Sequence, residues 1–483
     1  MGQGDQGHGH HDPAVTALGL GPPCVLRKEC HRMNAAMQSD MLERLVAITG
    51  SVRYENLSAA CVHAAKRAIL DSLGCAIAAI GCEPVRIAAS AMPAGAPEAT
   101  VIGESGKSSL ERAVLLNGML LRYLDLLDVY RAQDACHPSE NVSLALAAVE
   151  SCQGSGRGLI EAVVAGYEAQ SRLARLFSLQ HMGMHHVSAA GLVAPLVIAR
   201  AWQLSPEVAA HAAALSGVRQ FTLHALSKGN LSMAKAIGYA WSCKEALLAV
   251  RLAQGGYTGP VHLLNWLTHD GQAKGSLDCT ALAGDDTALI EHVSFKQFPV
   301  QVDLQTPNEV AQRLHARLDH AEIELVEIAM PGRAVERTAD PSKFQPGTRE
   351  TADHSLPVSV AISLLDGRLT ATQFEHGRWA DPEVGALVAR TRVVVDDEMA
   401  AAHPQGSPAR VTVTTRDGRC FSEFEAVASG DRARPLDDTA LERKFMLNVL
   451  PVLGEARARE IVEAVASLDK LERIDELTHL LAA

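Results

Sequence analysis

The stretch DACHPSENVS, residues 134–143, places a histidine, a proline, a serine and an acid–amide pair where an alanine-rich helical pattern begins. It follows an acidic, hydrophobic run, YLDLLDVY. Proline fits a first helical turn because its missing N–H is not needed there. The free N–H groups of that turn carry partial positive charge and favour a carboxylate. A histidine at such a mouth can bind an anion or pass a proton near neutral pH. His137 is therefore a candidate for that chemistry, with a plain helix cap as the alternative.

Three other stretches bear on chemistry. HMGMHHVS sets His181 and His185 one turn apart if it is helical, a spacing that can hold a metal. No acid or thiol at matching spacing supports that reading, and a solvated or structural pair is the alternative. Lys228, Lys235 and Lys296 stand in glycine- or proline-punctuated surroundings. Each alone reads as a surface lysine; together with two histidines they could neutralise a polycarboxylate. VIGESGKSS resembles a phosphate loop, but the GxxxxGK[ST] pattern needs glycine where Val101 stands, so nucleotide binding is not expected.

The elements that must position these residues are mostly helical. From Met41 onward, apolar residues recur at three- and four-residue spacing in LSAACVHAAKRAILDSLGCAIAAIG, SSLERAVLLNGMLLRYLDLLD, LIEAVVAGYEAQSRLARLF and AKAIGYAWSCKEALLAVRLAQGG. Several are apolar nearly all round, as buried bundle helices are. The texture changes near residue 293. AEIELVEIAMP, TRVVVDDE and ARVTVTTRDGRCFSEFEAV are rich in β-branched residues, and RDGR signals a hairpin turn. After about residue 435 the pattern is helical again. The expectation is a mainly α fold with an α+β insertion: an N-terminal extension over 1–36, a helical domain over 37–293 completed by 435–483, and an α+β lid over 294–434.

The chain has 483 residues, 47% hydrophobic and only 4% aromatic, with a net charge of −12. No basic block is available for nucleic acid. Ten cysteines are scattered without a CxxC, which reads as reduced thiols. No apolar run reaches the roughly 18 residues of a membrane span. The glycine- and histidine-rich start, MGQGDQGHGHHDP, has no secretory-signal pattern and reads as a disordered tail. The default compartment is the cytoplasm, with an organellar matrix as the alternative.

Taken in order, AILDSLGCAIA, LLNGMLLRYLDLLD, HPSEN, AGYE, LAQGGYTGP, TADHSLP, ISLLDG and LDKLERIDEL resemble the MmgE/PrpD family over residues 40–483. Members of that family include 2-methylcitrate dehydratase, cis-aconitate decarboxylase and an iminodisuccinate epimerase. The resemblance implies a helical domain built from both chain ends, an α+β lid, a homodimer, and chemistry on a small polycarboxylate with no metal or organic cofactor. It implies His137, His185, Lys235 and Asp125 as catalytic, and Lys296, Asp128, Ser139 and Lys228 as substrate-binding. Lys228 and Lys235 compete for one position. HPSEN and the QT after Lys296 look more like the dehydratase branch. After DHSLP many members carry a tyrosine, whereas this chain has Val358. A valine cannot donate a proton. Dehydration by proton abstraction alpha to a carboxylate is thus the leading expectation. A decarboxylase, an epimerase, or a non-catalytic ligand-binding member are the alternatives.

Overall fold

The computed structural model describes residues 41–269, 277–283, 287–318, 323–402 and 406–483. The extension expected over 1–36 lies outside the described residues. The first part is helical: α1 (Met41–Ser51), α2 (Ala59–Ala78), α3 (Leu110–Tyr123), α4 (Glu140–Ser151), α5 (Gly156–Leu176), α6 (Ala190–Ala201), α7 (Pro206–Gly217) and α8 (Ala234–Gln254). Their starts are written in the sequence. Ser58, Ser155 and Ser205 each accept a hydrogen bond from the backbone N–H three residues on, which satisfies a donor the helix itself leaves open. α8 packs along α3 and α7. At the first of these contacts a β-carbon on Gly118 would lie 2.7 Å from the Ala240 methyl, so only glycine permits that approach.

Two short hairpins interrupt the helices: β1 (Ala99–Thr100) with β2 (Lys107–Ser108), and β3 (Tyr130–Arg131) with β4 (Ala135–Cys136). The first carries the GESGK stretch. There Lys107 pairs with Glu150 and Asp475 rather than lining a phosphate cradle. The second returns the chain from the acidic run to the mouth of α4.

A four-stranded sheet of order β6-β5-β7-β8 follows, from β5 (Ile323–Met330), β6 (Thr391–Val395), β7 (Ala409–Thr415) and β8 (Cys420–Glu425). β5 runs parallel to β6 and antiparallel to β7. The RDGR turn joins β7 to β8 with Gly418 at φ 84°, a left-handed conformation that glycine adopts without strain. α9 (Gln305–His315) packs on β7, β8 and α10 (Leu356–Asp366). α11 (Asp438–Ala466), interrupted at Gly454, then returns to lie along α2. Among the described residues no single helix is long and apolar enough to cross a membrane.

Buried side chains form two clusters. One runs from Met41 to Phe295 and resumes with Leu436–Leu481; the other runs from Phe298 to Val413. Polar bonds tie them together: Leu231 N–H donates to Thr351 Oγ1, Lys343 Nζ to the Gly229 carbonyl, and the Tyr123 hydroxyl to Glu375.

Candidate active site

Where the clusters meet, a cavity of about 110 Å³ is lined by His137, His185, Lys228 and Lys296 together with Arg122, Asp125, His186, His224, Arg337 and His354. The helix mouth at residue 137 opens into it. Here the backbone decides the chemistry of the histidine. His137 Nδ1 lies 2.6 Å from the carbonyl oxygen of Asp128. A carbonyl only accepts, so Nδ1 carries the proton and Nε2 keeps its lone pair. Burial, with Lys296 and Arg122 nearby, holds this imidazole well below its usual pKa. The ring is a neutral imidazole at neutral pH.

Asp128 organises that mouth and does not reach the cavity. Its carboxylate accepts from Ser139 Oγ at 2.5 Å, Ser139 N–H at 3.2 Å and the Tyr167 hydroxyl at 2.6 Å. Burial still pushes its pKa up to about 6 against these bonds. Ser139 serves the same arrangement and faces Asp128.

Asp125 has a different task. Its φ of 52° is left-handed, an uncommon and strained state for a non-glycine residue. Its carboxylate forms an ion pair with Arg122 and lies 3.2 Å from Lys296 Nζ, 3.7 Å from Lys235 Nζ and 3.7 Å from His354 Nε2. Burial opposes its ionisation, but Arg122, Lys235 and Lys296 override burial and hold its pKa well below the usual range. Lys296 also donates to the Asp125 carbonyl at 2.8 Å, and burial draws its pKa down to about 8.

Lys235 and Lys228, the two competing lysines, are both placed. Lys228 is exposed and lines the cavity. Lys235 is buried one layer behind, 2.9 Å from both oxygens of Asp353 and 3.4 Å from His354 Nδ1. Three buried cations, Arg122, Lys235 and Lys296, therefore face two ionised carboxylates, Asp125 and Asp353. The surplus positive charge suits a substrate carboxylate.

His185 Nδ1 accepts weakly from Val187 N–H at 3.4 Å, which leaves Nε2–H as the donor of the neutral ring. Burial brings its pKa down to about 3. The His186 ring is tilted against His185, with centroids 4.2 Å apart, and edge-on to His137 at 5.3 Å. The expected turn through HMGMHHVS is broken by Gly183 at φ 76°, which leaves His181 exposed and His185 buried, so they do not form a metal pair.

Sequence reading missed Arg122, Glu140, His186, His224, Arg337 and His354, of which His224 and Arg337 lie in no quoted motif. Arg122 and Glu140 sit inside the quoted motifs LLRYLD and HPSEN, and His354 inside TADHSLP; His186 adjoins His185. Glu140 is buried with neither oxygen in a hydrogen bond of good geometry, 3.3 Å from Arg122 Nε and 3.8 Å from His186 Nε2. Burial raises its pKa to about 8, with Arg122 opposing. A titratable group inside each motif was the available signal. Val358, by contrast, is 2% exposed, belongs to the second hydrophobic cluster, and is not among the cavity-lining residues.

Asp125, Asp353 and His354 present ligand atoms within 4.8 Å of one another. Lys235 already sits against both carboxylates, with Lys296 and Arg122 adjoining. A divalent cation there would meet three positive charges, so this donor set suits the ammonium that it holds.

Comparison with known proteins places the chain in a family. The chain is 27% identical to 2-methylcitrate dehydratase of Cupriavidus necator over 475 residues, covering 91% of this chain and 96% of that one. It is 25% identical to 2-methylcitrate dehydratase of Escherichia coli strain K12, covering 88% and 93%. It is 24% identical to cis-aconitate decarboxylase of Mus musculus, covering 92% and 94%. The MmgE/PrpD N-terminal domain matches residues 43–274 and the MmgE/PrpD C-terminal domain matches residues 298–470, so the chain belongs to the MmgE/PrpD family.

Proposed function

We propose that this protein is a lyase that removes water from a small hydroxy-polycarboxylate of the 2-methylcitrate type, using its own side chains and neither a metal nor an organic cofactor. The observation that carries this reading is the His137 imidazole, fixed as an Nε2 base beside a buried surplus of positive charge. Abstraction of a proton alpha to a carboxylate builds negative charge on that carboxylate. Arg122 and Lys296 at the cavity wall stabilise it, with Lys228 at the exposed rim. His185 lines the same cavity with Nε2–H as the donor of its neutral ring, and is the proposed donor to the departing hydroxyl. Asp125 holds the cations in place, and Lys235 braces Asp125 from behind.

The same carbanion would follow loss of carbon dioxide, and relatives of both names match at similar identity. Incubation with 2-methylcitrate, citrate, cis-aconitate and iminodisuccinate, with chelator present, followed by mass spectrometry, separates the outcomes. Loss of water from 2-methylcitrate supports the dehydratase. Carbon dioxide release from cis-aconitate replaces it with the decarboxylase. Solvent deuterium uptake without mass loss otherwise indicates the epimerase, and thermal stabilisation without turnover indicates a binding protein.

The proposed partner is a second copy of the chain. Trp241, Leu248 and Leu252, exposed at 51%, 58% and 39%, share one face of α8 at seven- and four-residue spacing. An apolar stripe of this kind is what a homodimer covers. Light scattering of W241E/L248E should show monomer where the parent is dimeric.

A further inference from the structure

A second cavity, larger than the one at His137, lies elsewhere in the molecule. This crevice of about 880 Å³ lies beside the segment that carries Asp125, between α11 and the partly helical residues 368–381 that follow α10. Its walls include Leu126, Leu369, Leu447 and Val452, of which Leu447 is 69% exposed. Its acids are engaged. Glu375 accepts from Arg349 and Tyr123, and Asp381 accepts from Arg378. Two of its cations are not engaged: Arg368 and Arg443, one from each wall, are exposed and have no ion pair or side-chain hydrogen bond among the described residues. At the floor, Lys444 Nζ lies 2.6 Å from Asp71 Oδ1 and donates to the Leu126 carbonyl at 3.1 Å. An ammonium has three protons, so one is left over by these two partners.

From this arrangement we propose that the crevice is a second binding site, for a free amphipathic carboxylate whose head meets Arg368, Arg443 and Lys444 and whose hydrocarbon body lies on the leucine wall. A cavity of this volume suits a ligand of drug or fatty-acid size, and apolar walls with a few placed charges are the usual form of such sites. The site would communicate with the first one. Alternate residues of two segments face the two cavities: Asp125 and Lys296 line the first, Leu126 and Gln297 the second. An occupant pressing on Leu126 acts on the backbone whose strained neighbour is Asp125.

Calorimetric titration of the full chain with decanoate tests this, with decanol as the uncharged control. The expected result is one saturable site per chain, decanol weaker by at least tenfold, and a loss of at least tenfold in R368A/R443A at unchanged melting temperature. Decanoate binding that persists in H137A and is lost in R368A/R443A places the ligand at the crevice. No saturable binding, equal affinity for decanol, an unaffected R368A/R443A, or binding lost in H137A would each overturn the proposal. None of these readouts depends on which reaction the first site performs.

Discussion

His137 and Asp128 are nine residues apart, yet the side chain of the first is fixed by the backbone of the second through a 2.6 Å hydrogen bond. That bond selects the tautomer and aims Nε2 away from Asp128. Replacing His137 with alanine should lower turnover by about 10³-fold, within the usual range for loss of a general base, while the melting temperature stays close to that of the parent. Because the imidazole is held well below its ordinary pKa, kcat/KM should remain flat down through pH 6.5. An acid limb centred at pH 6.5 or above would show that His137 is not the base.

Lys296 should set the alkaline limit. With its pKa drawn down to about 8, the ammonium deprotonates above that pH and the developing substrate charge loses a partner. The activity profile should fall through about pH 8. K296R, whose guanidinium keeps its charge, should retain reduced activity with the alkaline limb moved upward. A limb at the same pH in K296R would assign it to another group.

Glu140 gives a stability prediction of definite sign. Its folded pKa of about 8 lies above the ordinary 4.5, so folding favours the protonated form. That contribution is complete below pH 4.5 and is lost as pH rises through 8, by up to about 1.4 kcal/mol per pH unit. E140Q cannot ionise. Its melting temperature should match the parent near pH 4.5 and exceed it increasingly toward pH 8. The opposite trend would mean that Glu140 serves as an ionised partner of Arg122.

Lys235 and Asp353 join the two hydrophobic clusters through a buried pair. Removing either partner strips a buried charge of its nearest counter-charge; Asp353 keeps Arg349 at 3.0 Å and Lys235 keeps Asp125 at 3.7 Å, so the cost falls below the roughly 3–5 kcal/mol of a fully orphaned charge. K235M and D353N should each unfold at markedly lower denaturant concentration, and the double variant should be more stable than the sum of the two losses. Strict additivity would show the pair to be uncoupled.

Val358 packs in the second cluster. Inserting a tyrosine ring there overfills a close-packed site at about 1–3 kcal/mol. V358Y should therefore melt lower and gain no turnover. Increased turnover would mean that position 358 reaches the substrate.

The sequence by itself determined the local features and the family. Serine caps at 58, 155 and 205, the Gly418 turn, the strand texture after residue 293 and the motifs around His137 depend on neighbours a few residues away, and so they are legible in linear text. Tertiary structure decided which atoms meet. Asp125 and Asp128, three residues apart in one motif, serve two different environments because a left-handed residue at 125 turns the chain between them. Lys235 lies behind the cavity and Lys228 on its wall because Asp353, 118 residues away from Lys235, captures the first. His354 and Arg122 join the site only when the two clusters close on each other. Burial, which pushes Glu140 and Lys296 toward neutral pH from opposite directions, is a property of that closure. No spacing along the chain encodes it.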